Sequence, residues 1–262
     1  MGQNFLMDAN ALEAILDAAN LTSSDHVLEV GPGLGVLTWE LVRRAGAVTS
    51  VELDKRLAAR LHEEFAGIDT LHIIQSDILE LDLEAALAHQ QDYSSYKVVA
   101  NLPYAITSPL LRYFLEAPHK PSLMVVLVQL EVAQRITGRV GDMSVLAHAV
   151  QLYAMPEIIA TVPATSFYPA PAVDSAILAL RPHSPSQAAI DNPEQVMRVI
   201  KAGFLHARKT LSNALPSGLA AMGRPLPREQ VLEALQACGI DSQRRAETLS
   251  LAEWVALERI MK

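Results

Sequence analysis

Hydrophobic residues follow two alternating patterns along the first two thirds of the chain. Short apolar runs rich in Val and Ile are separated by stretches in which apolar residues share one helical face, as Leu12, Ile15, Leu16 and Ala19 do. The runs lie at about 27–30, 48–51, 72–75, 98–100, 122–128 and 176–180. Strands that alternate with helices predict an α/β fold with a largely parallel sheet.

Beyond residue 182 the pattern becomes purely helical. Helices are expected at about 193–206, 208–221, 228–237 and 250–260, after the polar segment His183-Ser184-Pro185-Ser186. We therefore expect an α/β domain over residues 1–182 and a small all-helical domain over residues 183–262.

Composition narrows the class of protein. Hydrophobic residues make up 50% of the 262 residues, which is enough for a sizeable core. Cys238 is the single cysteine, so an internal disulfide framework is excluded and a reducing compartment is favoured. The first residues lack the pattern of a signal peptide, and no apolar window reaches the length of a membrane span. We expect a cytoplasmic protein with no membrane partner.

Charge is distributed unevenly. The net charge of −8 argues against a generic nucleic-acid binder, but residues 183–262 carry 10 Lys and Arg against 8 Asp and Glu, a net of +2. The remaining residues carry 11 against 21, a net of −10. Any contact with a polyanion is therefore expected at Arg208, Lys209, Arg244 and Arg245, for which solvated helix surface is the equal alternative.

A glycine loop, Gly31-Pro32-Gly33-Leu34-Gly35, follows the first apolar run and precedes a helix. Strand, glycine loop and helix form the opening unit of a nucleotide-binding α/β fold, because glycine lets a ligand approach the backbone. The spacing differs from the dinucleotide pattern, and Pro32 removes one N–H, which favours a ligand without a pyrophosphate. A tight turn without a ligand is the alternative.

Two acidic residues follow later strands. Glu52 lies 21 positions after Gly31, where an acid can accept hydrogen bonds from both hydroxyls of a ribose. Asp77 follows the third strand and can accept from an adenine amino group, while the apolar side chain beside it packs on the ring. The alternative for Asp77 is a carboxylate that caps a turn. Asp54 is expected to cap the helix that follows it.

The fourth strand ends in Asn101-Leu102-Pro103-Tyr104. The Asn101 side-chain oxygen and the carbonyl of Leu102 or Pro103 can accept the two hydrogens of an amino group on a planar base. Tyr104 can stack on the face of that base. These contacts would aim the nitrogen lone pair at a methyl donor, although Tyr104 as a core aromatic is the alternative.

With these sites, the chain resembles the ribosomal RNA adenine N6-dimethyltransferases, close to the small-subunit (KsgA-type) family, over nearly its whole length. The resemblance rests on Gln3-Asn4-Phe5-Leu6, the glycine loop, Glu52, Asp77, Asn101 to Tyr104, Phe167 to Ser175, and Phe204 with Arg208 to Leu211. It implies a Rossmann-like class I methyltransferase sheet and S-adenosylmethionine as donor, with S-adenosylhomocysteine as product and no metal. It also implies two methyl groups on N6 of each of two adjacent adenosines near the 3′ end of small-subunit rRNA.

The resemblance also places residues around the donor and the target. Phe167 is expected to stack on the second face of the target base, with bracing of the proline loop as the alternative. The donor is expected to contact Asn4, Leu6, Gly31, Gly33, Glu52, Leu53, Asp77, Ile78 and Asn101. The helical domain would bind rRNA of the small ribosomal subunit or its precursor, and a monomer is expected.

Three other functions stay open at this point. One is a large-subunit rRNA methyltransferase of the antibiotic-resistance type, and another is a non-catalytic factor for ribosome assembly or transcription on the same fold. A methyltransferase for DNA or a small amine would leave Arg208 and Lys209 unexplained.

Overall fold

The computed structural model describes residues 4–88, 95–184 and 190–261; residues 185 and 186 of the expected polar segment lie outside these ranges. The strands are β1 Phe5–Leu6, β2 His26–Val30, β3 Ala47–Glu52, β4 Leu71–Gln75, β5 Tyr96–Asn101, β6 Leu123–Gln129, β7 Ala154–Val162, β8 Phe167–Tyr168 and β9 Ser175–Pro182. The main sheet has the order β4-β3-β2-β5-β6-β9-β7, and β1 pairs with β8 in a separate two-stranded sheet. Strands β2 to β6 run parallel and β9 is antiparallel to β6, so the predicted α/β fold is confirmed.

Eleven α-helices accompany these strands in the described ranges. They are α1 Ala9–Ala19, α2 Val36–Arg44, α3 Lys55–Glu64, α4 Leu83–Leu87, α5 Thr107–Glu116, α6 Leu130–Ile136, α7 Val145–Gln151, α8 Pro193–Phe204, α9 Leu211–Ala221, α10 Arg228–Ala237 and α11 Leu251–Ile260. The predicted cap of α3 is confirmed, since Asp54 Oδ1 accepts from the backbone N of Arg56 at 2.8 Å. None of the helices within the described part of the chain is both long and apolar enough to cross a bilayer.

The chain folds as two compact units that differ from the expected division by one segment. One unit contains Met1–Ala133 and Met155–Pro182, and the other contains Gln134–Ala154 and His183–Lys262. The segment Gln134–Ala154 joins the helical unit because Leu152 packs in an apolar cluster with residues such as Ile200 and Trp254. The helical unit is therefore built from two separate stretches of sequence.

Strand β2 lies deep in the α/β unit, and each of its five residues is buried. A strand in the middle of a parallel sheet is covered on both faces, so a polar side chain within it needs hydrogen-bonding partners. His26 and Glu29 are its polar members, and Glu29 also lines a cavity at the carboxyl end of the strand.

Candidate active site

A cavity of about 550 Å³ opens at the carboxyl ends of β2, β3, β4 and β5. Parallel strands in an α/β sheet place their carboxyl ends at one edge, where ligands bind. The cavity brings together the predicted residues Asn4, Leu6, Gly31, Gly33, Glu52, Leu53, Asp77, Ile78, Asn101, Leu102, Pro103 and Tyr104. The strand tips and the opening segment of the chain therefore form one site.

The glycine loop forms one wall of this cavity. Gly31 and Gly33 have φ angles of +67° and +58°, which side chains with a Cβ rarely adopt. A Cβ at Gly33 would lie 3.1 Å from the ring of Phe5, so this glycine lets the opening strand pack closely against the loop.

Glu52 connects the tip of β3 to the glycine loop. Its side chain is buried, with Oε2 accepting from the backbone N of Gly33 at 3.1 Å and Oε1 from the backbone N of Asp54 at 2.9 Å. Each carboxylate oxygen has a second lone pair, so the group can still accept from a ligand. The two backbone donors hold the carboxylate in place beside the cavity.

Asp77 both caps a turn and lines the cavity. Its Oδ1 accepts from the backbone N of Leu79 at 2.9 Å, which is the turn-capping role given as the alternative from the sequence. Its neighbour Ile78 is buried and also lines the cavity. The acidic group and the apolar side chain thus stand together at the tip of β4, as expected.

At the tip of β5, the hydrogen bonds leave two acceptors open. Asn101 Nδ2 donates to the backbone carbonyl of Asn4 at 3.2 Å, which fixes the amide group and leaves its Oδ1 without a hydrogen bond from the described residues. The Pro103 carbonyl accepts from the backbone N of Ile106 at 3.1 Å, whereas no described residue donates to the carbonyl of Leu102. The acceptor pair is therefore the side chain of Asn101 and the carbonyl of Leu102.

Tyr104 follows in a short 3-10 turn, is half-buried and lines the cavity, so it is not a core residue. Its hydroxyl lies 2.7 Å from Oγ of Ser175, which is fully buried at the start of β9. This hydrogen bond connects the strand-tip motif to the late proline motif, a contact that sequence reasoning missed.

Comparison with known proteins identifies the family. Residues 1–262 match the family model described as ribosomal RNA adenine dimethylase. The chain belongs to this family. Relatives named ribosomal RNA small subunit methyltransferase A include those of Dehalococcoides mccartyi strain CBDB1, 47% identical over 98% of this chain and 86% of the relative, and of Moorella thermoacetica, 39% identical over 100% and 91%.

Solved structures agree with this family. A dimethyladenosine transferase from Plasmodium falciparum is 26% identical, with a TM-score of 0.81 over 97% of this chain and 95% of that chain. The 23S rRNA methyltransferase ErmE is 30% identical, with a TM-score of 0.74 over 98% and 99%. The chain is therefore an rRNA adenine dimethyltransferase with the class I methyltransferase fold that the sequence predicted.

Phe167 lies elsewhere in the enzyme than expected. The side chain is 4% exposed and packs in an apolar cluster with Leu6 and Ile177, outside the residues that line the cavity. Because β8 is extended, successive side chains point to opposite sides, and Tyr168 is 73% exposed instead. Phe167 therefore does not line the cavity, and bracing of the proline loop describes its position.

The four basic residues of the helical unit differ in their surroundings. Arg208 and Lys209 are exposed between α8 and α9, and Arg245 is exposed with Glu247 at 3.9 Å. Arg244 is paired within the unit, since its guanidinium binds Glu253 at 2.5 Å and also donates to Thr248, and its contact with rRNA stays a prediction. Burial alone would raise the pKa of Glu253, but hydrogen bonds from Arg244 and Ser250 outweigh burial and lower it. Arg244 thus stabilises the start of α11.

Glu29 also lines the cavity and was missed from the sequence. It is 1% exposed, and its Oε2 accepts from the hydroxyls of Thr38 and Ser50, each at 2.7 Å. Its Oε1 is buried and has no hydrogen-bonding partner among the described residues. Burial raises the pKa of Glu29 to about 7, because the two hydroxyl hydrogen bonds offset it only in part and the charge of Glu52 adds to the rise.

No group of three or more His, Cys, Asp or Glu side chains within the described ranges is arranged to hold a metal ion.

Proposed function

We propose that this enzyme transfers methyl groups from S-adenosylmethionine to N6 of two adjacent adenosines in the 3′-terminal hairpin loop of small-subunit rRNA. The products are N6,N6-dimethyladenosine and S-adenosylhomocysteine. The observation that carries this proposal is the open acceptor pair at the tip of β5, Asn101 Oδ1 and the Leu102 carbonyl, beside an acidic cavity. We also propose that the enzyme acts as a cytoplasmic monomer in small-subunit biogenesis.

The cavity suits a donor that carries positive charge. Its lining contains four acidic side chains, those of Glu29, Glu52, Asp54 and Asp77, and no Lys, Arg or His among the described residues. The bound donor supplies a methyl group on a positively charged sulfur, which is already an activated leaving group. Glu52 would hold the ribose hydroxyls, and Asp77 with Ile78 would hold the adenine edge and face.

Positioning then accounts for most of the catalysis. The N6 lone pair of adenine is delocalised into the ring, so the amino group is a poor nucleophile while it stays planar. Asn101 Oδ1 and the Leu102 carbonyl would accept the two N6 hydrogens and favour a nitrogen whose lone pair is directed at the methyl group. Tyr104, held by Ser175, would stack on the base after it leaves its helix.

The choice of ribosomal subunit is supported by the relatives of 39–47% identity, whose names refer to the small subunit. The nearest alternative is methylation of large-subunit rRNA, which is favoured by the likeness to ErmE at 30% identity. A non-catalytic factor would not need the two open acceptors at Asn101 and Leu102.

Transfer of labelled methyl groups to purified ribosomal subunits tests the proposal. We expect dimethyladenosine in unmethylated small subunits and none in large subunits, with no label when the Asn101→Ala variant replaces the wild type. Label confined to large subunits would move the enzyme to the ErmE type. Absence of label in both, with donor binding intact, would contradict the catalytic role.

A further inference from the structure

Glu29 combines three properties that no role assigned so far explains. It is fully buried in the middle of the sheet, it lines the donor cavity, and its Oε1 lacks a partner while Oε2 receives two hydroxyl hydrogen bonds. An unmatched carboxyl oxygen in a buried site is costly unless a bound group interacts with it. The carboxyl group is therefore placed to respond to what enters the cavity.

The charges around Glu29 are predominantly negative on the cavity side. Glu52 lies on the neighbouring strand β3, and Asp54 and Asp77 line the same cavity. The other charged groups on the elements beside β2 are Lys97 on β5 and Glu40, Arg43 and Arg44 on α2. Lys97 is paired with Asp25, and the two arginines are paired with Glu40 and Glu13, so none of these described cations pairs with Glu29.

We propose that Glu29 is a carboxylic acid in the free enzyme and gives up its proton when the positively charged donor binds. This inference rests on the proposed function, since it takes S-adenosylmethionine as the ligand. The proton passes to the buffer, and the carboxylate that remains is matched by the positive charge of the donor. Thr38 and Ser50 stabilise that carboxylate by donating to Oε2.

The raised pKa sets the range of pH in which this exchange is measurable. Burial places the pKa of Glu29 at about 7 in the free enzyme, and a cation in the cavity lowers it. Below that value the donor must displace a proton, so its affinity is expected to fall up to about tenfold for each pH unit. Above pH 8 Glu29 is already ionised, and its contribution to the pH dependence of the affinity ends.

Calorimetric titration of the full-length enzyme with S-adenosylmethionine, in buffers of different ionisation enthalpy, measures the protons released. We expect close to one proton per donor at pH 6 and almost none at pH 8.5. Donor binding without proton release at pH 6 would overturn the role of Glu29 and leave the proposed function intact. If the enzyme does not bind the donor at all, the proposed function fails and this inference fails with it.

The Glu29→Gln variant assigns the proton to its residue. Glutamine keeps the shape and cannot ionise, so the variant is expected to bind the donor without proton release at either pH. Glu63→Gln, at an exposed position on α3, is the matched control and should release protons as the wild type does. Release that persists in Glu29→Gln would overturn the assignment.

Thermal unfolding without donor provides a readout that does not depend on binding. An acid whose pKa is raised in the folded state contributes stability below its unfolded value of about 4.5, and that stability is lost as the pH rises through about 7. The Tm of Glu29→Gln relative to the wild type is therefore expected to rise between pH 5.5 and 8.5. An unchanged Tm difference, in a variant that folds, would show that Glu29 is ionised throughout and overturn the proposal.

Discussion

The cavity and the loops of the helical unit carry charges of opposite sign, as the two proposed ligands do. Four acidic side chains and no described basic side chain line the cavity, whereas Arg208, Lys209 and Arg245 lie exposed in the helical unit. A small cation and a polyanion are the two substrates of the proposed reaction. Because acidic and basic groups occur in separate regions, each substrate meets a favourable field where it is proposed to bind.

The two regions also differ in the exposure of their charged groups, which affects the kind of contact each group can make. The cavity carboxylates of Glu29 and Glu52 are buried and held by hydrogen bonds, so each has a fixed direction. Arg208 and Lys209 are exposed, so they are suited to contacts with phosphate groups that tolerate variation in geometry. Substitutions in the two regions should therefore separate donor binding, chemistry and rRNA binding.

The largest effect is expected from Asn101→Ala, which should impair methyl transfer and leave donor binding almost unchanged. Loss of the Oδ1 acceptor should lower kcat by about a hundredfold or more, because the N6 hydrogens are no longer held. Calorimetry should give a donor Kd within a few-fold of the wild type. Asn10→Ala, at an exposed position on α1, is the control, and retained turnover in Asn101→Ala would refute the assigned role.

Glu52→Gln tests the donor side of the cavity. The amide keeps the shape but replaces one acceptor oxygen with a donor, which opposes the backbone N–H of either Gly33 or Asp54. We expect donor Kd to rise by about ten- to a hundredfold, in line with the loss of one or two charge-assisted hydrogen bonds. Unchanged affinity, with Glu63→Gln as reference, would remove the ribose assignment.

Charge reversal in the helical unit tests whether its exposed basic residues bind rRNA. Arg208→Glu with Lys209→Glu should weaken binding to small subunits by about tenfold at low salt and reduce the dependence of affinity on salt concentration. Donor affinity and Tm should stay constant, because both side chains are exposed. An equal loss of donor binding would mean that the rRNA surface lies elsewhere.

Arg244→Ala is expected to affect stability, since this arginine is paired with Glu253 and is less exposed than Arg208 and Lys209. Loss of its bonds to Glu253 and Thr248 should destabilise the helical unit by about 1–3 kcal/mol at neutral pH. The lowered pKa of Glu253 means that this stability is present above about pH 4.5 and disappears as the pH falls through the folded-state pKa. Chemical denaturation at pH 7 and pH 3 would measure it; an equal loss at both would contradict the ion pair.

The smallest effect is expected from the hydroxyl pair of Tyr104 and Ser175. If their hydrogen bond only orients the ring, Tyr104→Phe and Ser175→Ala should each lower kcat by about three- to tenfold, and the double variant should lower it no further. The KM for rRNA should change less than kcat. Multiplying effects in the double variant would show that the two hydroxyl groups act independently.

Sequence alone predicted the strand tips well because the requirement there is local. Gly31, Glu52, Asp77 and Asn101 each stand at the end of a recognisable strand, and parallel strands end at one edge. The roles of Phe167 and Arg244 depended on contacts with distant residues, which the residue type does not reveal. The surroundings of those two side chains could not be predicted for this reason.

Two elements, β7 and α7, and the residue Glu29 also escaped prediction. β7 contains Pro156, which argues against a strand, and at the sheet edge the missing N–H is tolerated. Helix α7 has only seven residues, too few for a clear period. Glu29 reads as one polar residue in an apolar strand, and its partner Ser50 comes from a different strand, 21 positions away.

The α/β unit is built from two stretches of sequence separated by a segment of the helical unit, and this order affects folding during synthesis on the ribosome. Strand β9 lies between β6 and β7 in the sheet, yet both β7 and β9 are translated after the segment Gln134–Ala154, which belongs to the helical unit. The sheet therefore cannot be completed until residue 182 has left the exit tunnel, and that segment waits for residues 183–262 before its apolar side chains are covered. The nascent enzyme depends on residues 183–262 to cover the apolar side chains of Gln134–Ala154, which are synthesised earlier. A chain truncated after residue 182 should therefore attract chaperones and aggregate.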